Sequence, residues 1–506
     1  MSNNRGKKLA FNTVSSLMLQ VVTVICGFIL PRLIIGTYGS NVNGLVSSIA
    51  KFLGVVTLLD LGVGTVVQSA LYKPLAENDH DMVSKIFVSA NRFFKRIAAI
   101  LLIYVVILFF TYPIIVNRKF GFLYTGMLIL AICINSFSQY YFGIVNSLLL
   151  GADQKGYIQY TAQIVTLIVN TIVCAILIKN GASIQIVKFA TSLIFLFRPL
   201  FLYYYVKKRY VINRKITYTE EPIKQKWNGM AQHFASYVLT GTDPIVLTIF
   251  STLANVSIYS IYDQIANGVF MLITAISNGF FSYFGDMWAK NEKDRLKNDF
   301  STFEWLMHLI SVMIFGCTSM VILDFVRVYS SGIVEAEHVE YVQPLFSLIF
   351  VLAYFARCLR LPYNYIILAA GHYKQTQSSY YVSMIMNIVI SIATVNLFGL
   401  VGVAIGTLCA MLYQTIWMAV YVYRNLIKNS MIKFIKHMII DMVIGAIGFL
   451  CCFKINLDVS GYFKWGIEAL IIFAIWAGVS VLINFIFYKD EFKRILLLLK
   501  RKVKVI

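Results

Sequence analysis

Arg357 and Arg360 stand three residues apart inside an apolar stretch, and Asn364 lies one turn further along. On a helix this spacing puts both guanidiniums and the amide on one face. Arg198 sits at comparable depth in another apolar stretch. A guanidinium offers a planar fork of donors, stays charged at any working pH and matches two phosphate oxygens at once. Facing lipid, each such charge costs roughly 2.5–3.5 kcal/mol. Three of them cost on the order of 8–10 kcal/mol, as much as the whole stability of a domain. They must therefore face a wet cavity or be paired. In a cavity of low dielectric constant, such a cluster attracts a phosphate or pyrophosphate.

Other embedded charges are weaker members of the same set. Arg32 and Lys188 lie near the outer ends of their apolar stretches, where a long side chain reaches the interface cheaply; Lys51 is about two turns in. Asp60, Asp243 and Asp263 are the embedded acids, open to two readings: counter-ions of the arginines, or sites for a proton or Na⁺. Pro362 and Pro199 remove backbone donors beside Arg360 and Arg198, as helices tolerate where they line protein or water. Tyr259, Tyr262, Tyr354, Tyr363 and Tyr365 fall near these polar stripes, where they pack or stack on sugar rings. Glu335, Glu337, His338 and Glu340 suggest a metal cluster, but a single His among carboxylates on a short outer loop reads as a solvated charge run. No metal site and no cofactor is expected.

The elements that must position these residues are transmembrane helices. The 506-residue chain is 59% hydrophobic and only 13% charged, against roughly 25% in soluble domains. Fourteen apolar spans of membrane-crossing length follow one another, at about 10–36, 43–70, 97–115, 121–150, 158–178, 182–206, 228–250, 256–283, 300–325, 339–370, 377–397, 400–424, 433–453 and 461–488. The fold class is an all-α polytopic membrane protein. The eight cysteines all fall within spans, without metal-ligand spacing, and read as packing residues. No P-loop or zincin motif appears, so ATP-driven or metal-hydrolase chemistry is unsupported.

A net charge of +21 in a soluble chain would suggest nucleic acid. Here most of the 44 Lys and Arg fall in alternate connectors, while the others hold only Arg118, Lys119, Lys179, Arg327, Lys454 and Lys464. By the positive-inside rule this puts both termini in the cytoplasm. The excess is a topology signal and no nucleic-acid partner is expected. The basic tail at 500–504 reads as an anchor to anionic lipid headgroups.

The first twelve spans divide six and six at a basic connector, 207–227. Asn41-Val42 matches Asn255-Val256 at an offset of 214, and Pro31 answers Pro244 one residue out of step. Because six is even, both halves enter the membrane in the same direction, a parallel repeat. The expected organisation is an N-lobe at 1–206, the connector, a C-lobe at 228–424, and two additional helices with the basic tail at 425–506.

Several stretches resemble one family. Pro31-Arg32 and the run from Tyr38 to Gly44 are similar to the opening of bacterial polysaccharide flippases, as are the runs from Thr242 to Leu247 and from Val256 to Tyr262. The stretches from Leu361 to Asn364 and Ala369 to Gln377 resemble that family's tenth helix and loop, and Gly399 to Thr407 its twelfth. These are the Wzx-type exporters of the multidrug/oligosaccharidyl-lipid/polysaccharide (MOP) superfamily, and the resemblance covers about residues 7–430. It implies alternating access between two six-helix lobes in the bacterial cytoplasmic membrane. The implied cargo is a short glycan on undecaprenyl pyrophosphate, with membrane lipids, a polysaccharide polymerase and a chain-length regulator as partners and capsule or surface polysaccharide as the product. The related lipid II flippases use central arginines and a groove by helices 13 and 14 for the lipid tail; only the idea of such a site carries over, since no motif matches their arginines. On this reading Arg198, Arg357 and Arg360 contact the pyrophosphate, with Asn364, Arg32 and Lys51 around them. The alternatives are a cation-coupled multidrug exporter of the same superfamily, or a membrane glycan polymerase or glycosyltransferase.

Overall fold

A computed structural model describes the backbone of residues 2–60, 62–116, 120–223, 234, 237–239, 241–333, 339–455, 459–489 and 491–492. Among the described residues, 13 helices are long and apolar enough to cross a membrane, and every regular element is helical. The protein is a multi-pass membrane protein. The expected span at 228–250 lies partly outside the described residues, which there include the helix Asp243–Phe250; Glu335, Glu337, His338 and the basic tail lie outside them.

The chain divides into two compact units, the first running through Ser260 and the second starting at Ile261. The first contains α1 (Ser2–Tyr38), α2 (Ser40–Gly54), α3 (Val63–Glu77), α4 (His80–Ile115), α5 (Phe122–Ser138), α6 (Ile144–Ala152), α7 (Gly156–Lys179), α8 (Ile184–Arg209) and α9 (Asp243–Phe250). Helix α10 (Leu253–Ala289) begins there and continues into the second unit. The second also holds α11 (Lys293–Ser330), α12 (Pro344–Leu359), α13 (Leu361–Ala369), α14 (Tyr373–Phe398), α15 (Leu400–Tyr421), α16 (Ile432–Cys452) and α17 (Tyr462–Phe487).

Local sequence explains where helices start and stop. Asp79 caps α4, its Oδ1 accepting from the Met82 amide at 2.9 Å, and so satisfies a donor that the helix itself leaves open. Gly399, at φ +54°, turns α14 back onto α15, a conformation that costs glycine little. That hairpin then packs closely. A Cβ on Gly402 would meet the Thr394 carbonyl, and one on Gly406 would meet Ser391, so this small-residue pair lets two helices approach in a lipid environment.

Spans expected to be continuous are in places divided. The second becomes α2, a tighter 3₁₀ turn over Val55–Asp60, and α3 after Gly62 at φ +73°. The fourth contains a wide π turn at Gln139–Gly143, and the tenth is split into α12 and α13 at Arg360. By contrast α8 runs through Pro199 without interruption. The break expected beside Arg198 is absent because a single missing donor is absorbed within a 26-residue helix held by its neighbours.

Each unit buries its own core. In the first, Leu45, Ile49, Phe94, Leu101, Tyr112 and Leu149 pack together. In the second, Trp305, Val312, Ile444, Ile472 and Trp476 fasten α16 and α17 onto α11. Large apolar side chains such as Ile103, Phe110, Leu450, Phe463 and Leu482 point outward, as lipid-facing surfaces require.

Candidate functional site

The split between α12 and α13 is subtle. The amide of Arg360 still reaches the Ala356 carbonyl at 3.2 Å, and the Asn364 amide reaches the Arg360 carbonyl at 3.0 Å. Pro362 nevertheless lacks the donor that would close the next turn, and the chain renews itself as α13 with Pro362 in its first turn. This joint presents the predicted polar stripe. Arg360 is buried, and its Nη1 donates to Oε1 of Gln414 on α15, itself fully buried. The Gln414 amide nitrogen has no partner among the described residues. Asn364, half-buried, accepts at 2.8 Å from the Tyr380 hydroxyl of α14. Arg357 lies one turn back, its guanidinium carbon 4.0 Å above the Phe270 ring and 5.5 Å from that of Tyr354. The Tyr354 hydroxyl in turn donates to Asp263 at 2.6 Å, so Tyr354 separates the arginine from the acid.

Arg198 belongs to the first unit, with Arg32, Lys51, Asp60 and Asp243. Its guanidinium donates to the Thr166 hydroxyl and, at 3.4 Å, to the Gln163 carbonyl of α7, and it covers the Phe195 ring at 3.9 Å. Asp243 is buried at the start of α9 and accepts from Tyr259 at 3.0 Å. Arg32, Lys51 and Asp60 are each half-buried.

Among the described residues, none of Arg198, Arg357 and Arg360 is within ion-pair distance of a carboxylate. They rest instead on rings, hydroxyls, a backbone carbonyl and one amide. Neutral acceptors and aromatic faces offset part of the desolvation cost but leave the charge unneutralised. A guanidinium also has more donors than these contacts use, so each retains the capacity to bind an anion.

Sequence reasoning missed a second polar cluster. On α11, Glu304 and His308 are four residues apart; on α16, His437 and Asp441 are too. That i,i+4 repetition on two apolar helices is the signal the sequence carries for the cluster. All four side chains are buried. Glu304 accepts from the Tyr363 and Tyr423 hydroxyls, at 2.6 Å each. His308 Nδ1 lies 2.5 Å from Asp441 Oδ2. The two imidazoles stack with centroids 4.9 Å apart, and His437 Nδ1 meets the Tyr488 hydroxyl at 2.6 Å.

Asp441 also forms part of the wall of an apolar cavity of about 370 Å³ between α11, α12, α16 and α17. Val312, Phe315, Leu348, Leu352, Met442 and Trp476 supply much of its lining. A space of this kind suits a hydrocarbon chain.

No protein-family profile matches the chain, and no curated protein sequence does. Solved structures do. The fold is similar to that of the lipid II flippase MurJ in its inward closed conformation, at a TM-score of 0.68 and 14% identity over 95% of this chain and 99% of that one. An inward-facing multidrug resistance MATE family transporter of the MOP superfamily aligns at a TM-score of 0.63 and 12% identity, over 81% and 98%. The MATE multidrug transporter DinF-BH in complex with R6G aligns at 0.57 and 15%, over 83% and 95%. At such identities the likeness is one of fold: this chain has the architecture of MOP superfamily transporters.

Proposed function

We propose that the chain is a flippase that carries undecaprenyl-pyrophosphate-linked oligosaccharide units from the inner to the outer leaflet of a bacterial cytoplasmic membrane by alternating access. The observation that supports this reading is that, among the described residues, no carboxylate lies within ion-pair distance of Arg198, Arg357 or Arg360. Embedded cations that are not neutralised from within call for an anion from without. A cationic drug would be repelled by them, which weighs against multidrug export on the same fold.

The cargo's parts match the surroundings by chemistry. A pyrophosphate cannot cross hydrocarbon unaided, and sugars would lose their hydrogen bonds to water. Arginines hold the head group, while the cavity beside Asp441 accommodates part of the polyprenyl chain. Outward movement of a diphosphate with about two charges gains roughly 4–5 kcal/mol per 100 mV of inside-negative potential. The glycan units delivered this way would supply a polysaccharide polymerase and its chain-length regulator for capsule or surface polysaccharide.

The test is transport of lipid-linked oligosaccharides into proteoliposomes, with and without an imposed potential. Arg357→Gln with Arg360→Gln should abolish movement without reducing membrane insertion. Full transport by the double variant would overturn the site, and export of a cationic dye in place of any lipid-linked glycan would overturn the function.

A further inference from the structure

The cluster of Glu304, His308, His437 and Asp441 contributes no group to the proposed pyrophosphate site. Its hydrogen bonds can be counted atom by atom. Tyr363 and Tyr423 each have one hydroxyl proton, and each points it at a different oxygen of Glu304. That arrangement fits an ionised carboxylate, which only accepts. The Tyr488 hydroxyl meets His437 Nδ1; with the phenol as donor, Nε2 is the protonated nitrogen of a neutral ring, 4.0 Å from Glu304 Oε2. His308 Nδ1 meets Asp441 Oδ2, and is the donor of that pair when the carboxylate is ionised and can only accept. Its Nε2 is buried and has no partner among the described residues.

The charges do not balance in this state. Two carboxylates and two neutral imidazoles leave two negative charges inside the second unit, and low dielectric makes each costly. The remaining groups facing the cluster are few. Lys433 and Lys436 sit in the first turn of α16 and are exposed; Lys433 donates to Ser301 at 3.3 Å, and Lys436 to the Phe487 carbonyl at 2.9 Å while lying over the Tyr488 ring. Glu491 lies three residues beyond Tyr488. Among the described residues, no further titratable group acts on Glu304, His308, His437 or Asp441 beyond these and the tyrosines already named.

We propose that this cluster is a proton-binding site, taking up one proton from water onto the vacant Nε2 lone pair of His308. No other bond needs to break. The ring becomes an imidazolium whose Nδ1–H stays on Asp441, and the buried charge falls by one. His437 stacks on the same ring, and repulsion between two imidazoliums limits the site to a single added proton. Because His308 and Glu304 belong to α11 while His437 and Asp441 belong to α16, occupancy sets how firmly these helices are fastened together. The site is a property of the protein alone and holds whichever cargo is carried.

The test uses the full chain in phosphatidylcholine nanodiscs with ¹⁵N-labelled histidine, where six residues give a countable spectrum. In the wild type, one buried imidazole should pass from a neutral to a doubly protonated signature as the sample is acidified. His308→Gln should remove that resonance, and Asp441→Asn should weaken proton affinity at least tenfold. If His308→Gln fails to fold, the wild-type titration and the Asp441→Asn shift still decide the matter. A His308 ring that stays in one protonation state from pH 4.5 to 9 in folded protein would overturn the proposal, leaving a purely structural latch.

Discussion

Asn43 donates from Nδ2 to Ser257 Oγ at 2.8 Å across 214 residues of chain. That separation equals the offset between Asn41-Val42 and Asn255-Val256, so two positions that this offset pairs in the sequence meet each other. The contact brings backbones together as well. A Cβ on the neighbouring Gly44 would fall on the Leu253 carbonyl, so the start of α2 can lie against the start of α10 only because residue 44 has no side chain.

Gly44→Ala should therefore destabilise the protein by about 3 kcal/mol, at the upper end of overpacking costs because the obstacle is backbone and cannot rotate away. Gly36→Ala provides the comparison, since nothing lies within 4 Å of a Cβ there. Thermal unfolding in detergent should show a large fall in Tm for the first variant and none for the second.

The spans were legible because lipid imposes long apolar runs on any helix. What the sequence hid depended on contacts across the chain. Hydropathy registers Arg360 as an embedded charge, yet nothing in its own stretch reveals that its neighbour is Gln414 and not an acid. Glu304 and His437 were obscured for a related reason: Glu304 and His308 share one apolar span, His437 and Asp441 another, and only packing α11 on α16 makes the two pairs one cluster. The division at Arg360 and the unbroken helix at Pro199 show the same dependence, since two prolines with similar local context differ in what surrounds them.

A short chain of hydroxyls ties α4, α2 and α9 together. Tyr112 donates to Ser48 at 2.6 Å, Ser48 lies 2.7 Å from Thr248, and Thr248 donates to the Pro244 carbonyl at 2.6 Å. With Thr248 committed to that carbonyl, Ser48 must donate to Thr248. Tyr112→Phe removes only the terminal donor and should cost about 1 kcal/mol. Thr248→Val strands the Ser48 proton in the core and should cost more, about 2 kcal/mol. Equal Tm values for the two variants would mean that the chain does not run in this direction.

Glu304 is held by two tyrosine hydroxyls from different helices, Tyr363 and Tyr423. Hydrogen bonds to a charged group contribute about 1.5–3 kcal/mol, so either Tyr→Phe change should lower stability by that amount. In a Glu304→Gln background the same changes should cost less, because a neutral amide makes weaker bonds to the phenols. A double-mutant cycle from chemical unfolding measures the difference, and coupling near zero would show that Glu304 is not ionised in the folded protein.

The cavity beside α16 can be filled without strain. Gly445 lines it, and a Cβ there meets nothing within 4 Å, whereas a Cβ on Gly316 or Gly448 would run into the Trp476 ring. Gly445→Phe should leave Tm nearly unchanged and reduce movement of a polyprenyl-linked substrate at least tenfold. Transport of a short-chain analogue should suffer less. Undiminished transport of the full-length lipid would remove the tail from this cavity.

Arg360 offers the sharpest discrimination between a cation kept available for cargo and one that is merely packed. Gln414 contacts it through a neutral carbonyl oxygen. Gln414→Glu is nearly isosteric and converts that contact into a buried ion pair. With its charge met from within the protein, the guanidinium should hold an incoming anion less well. Transport should fall at least tenfold, while Tm stays level or rises, since the uncompensated charge acquires a partner. Gln414→Leu works the other way, removing the acceptor but leaving the charge for the cargo, so it should lower Tm and preserve more transport than the glutamate. If the glutamate variant transports normally, Arg360 is structural and the anion is held elsewhere.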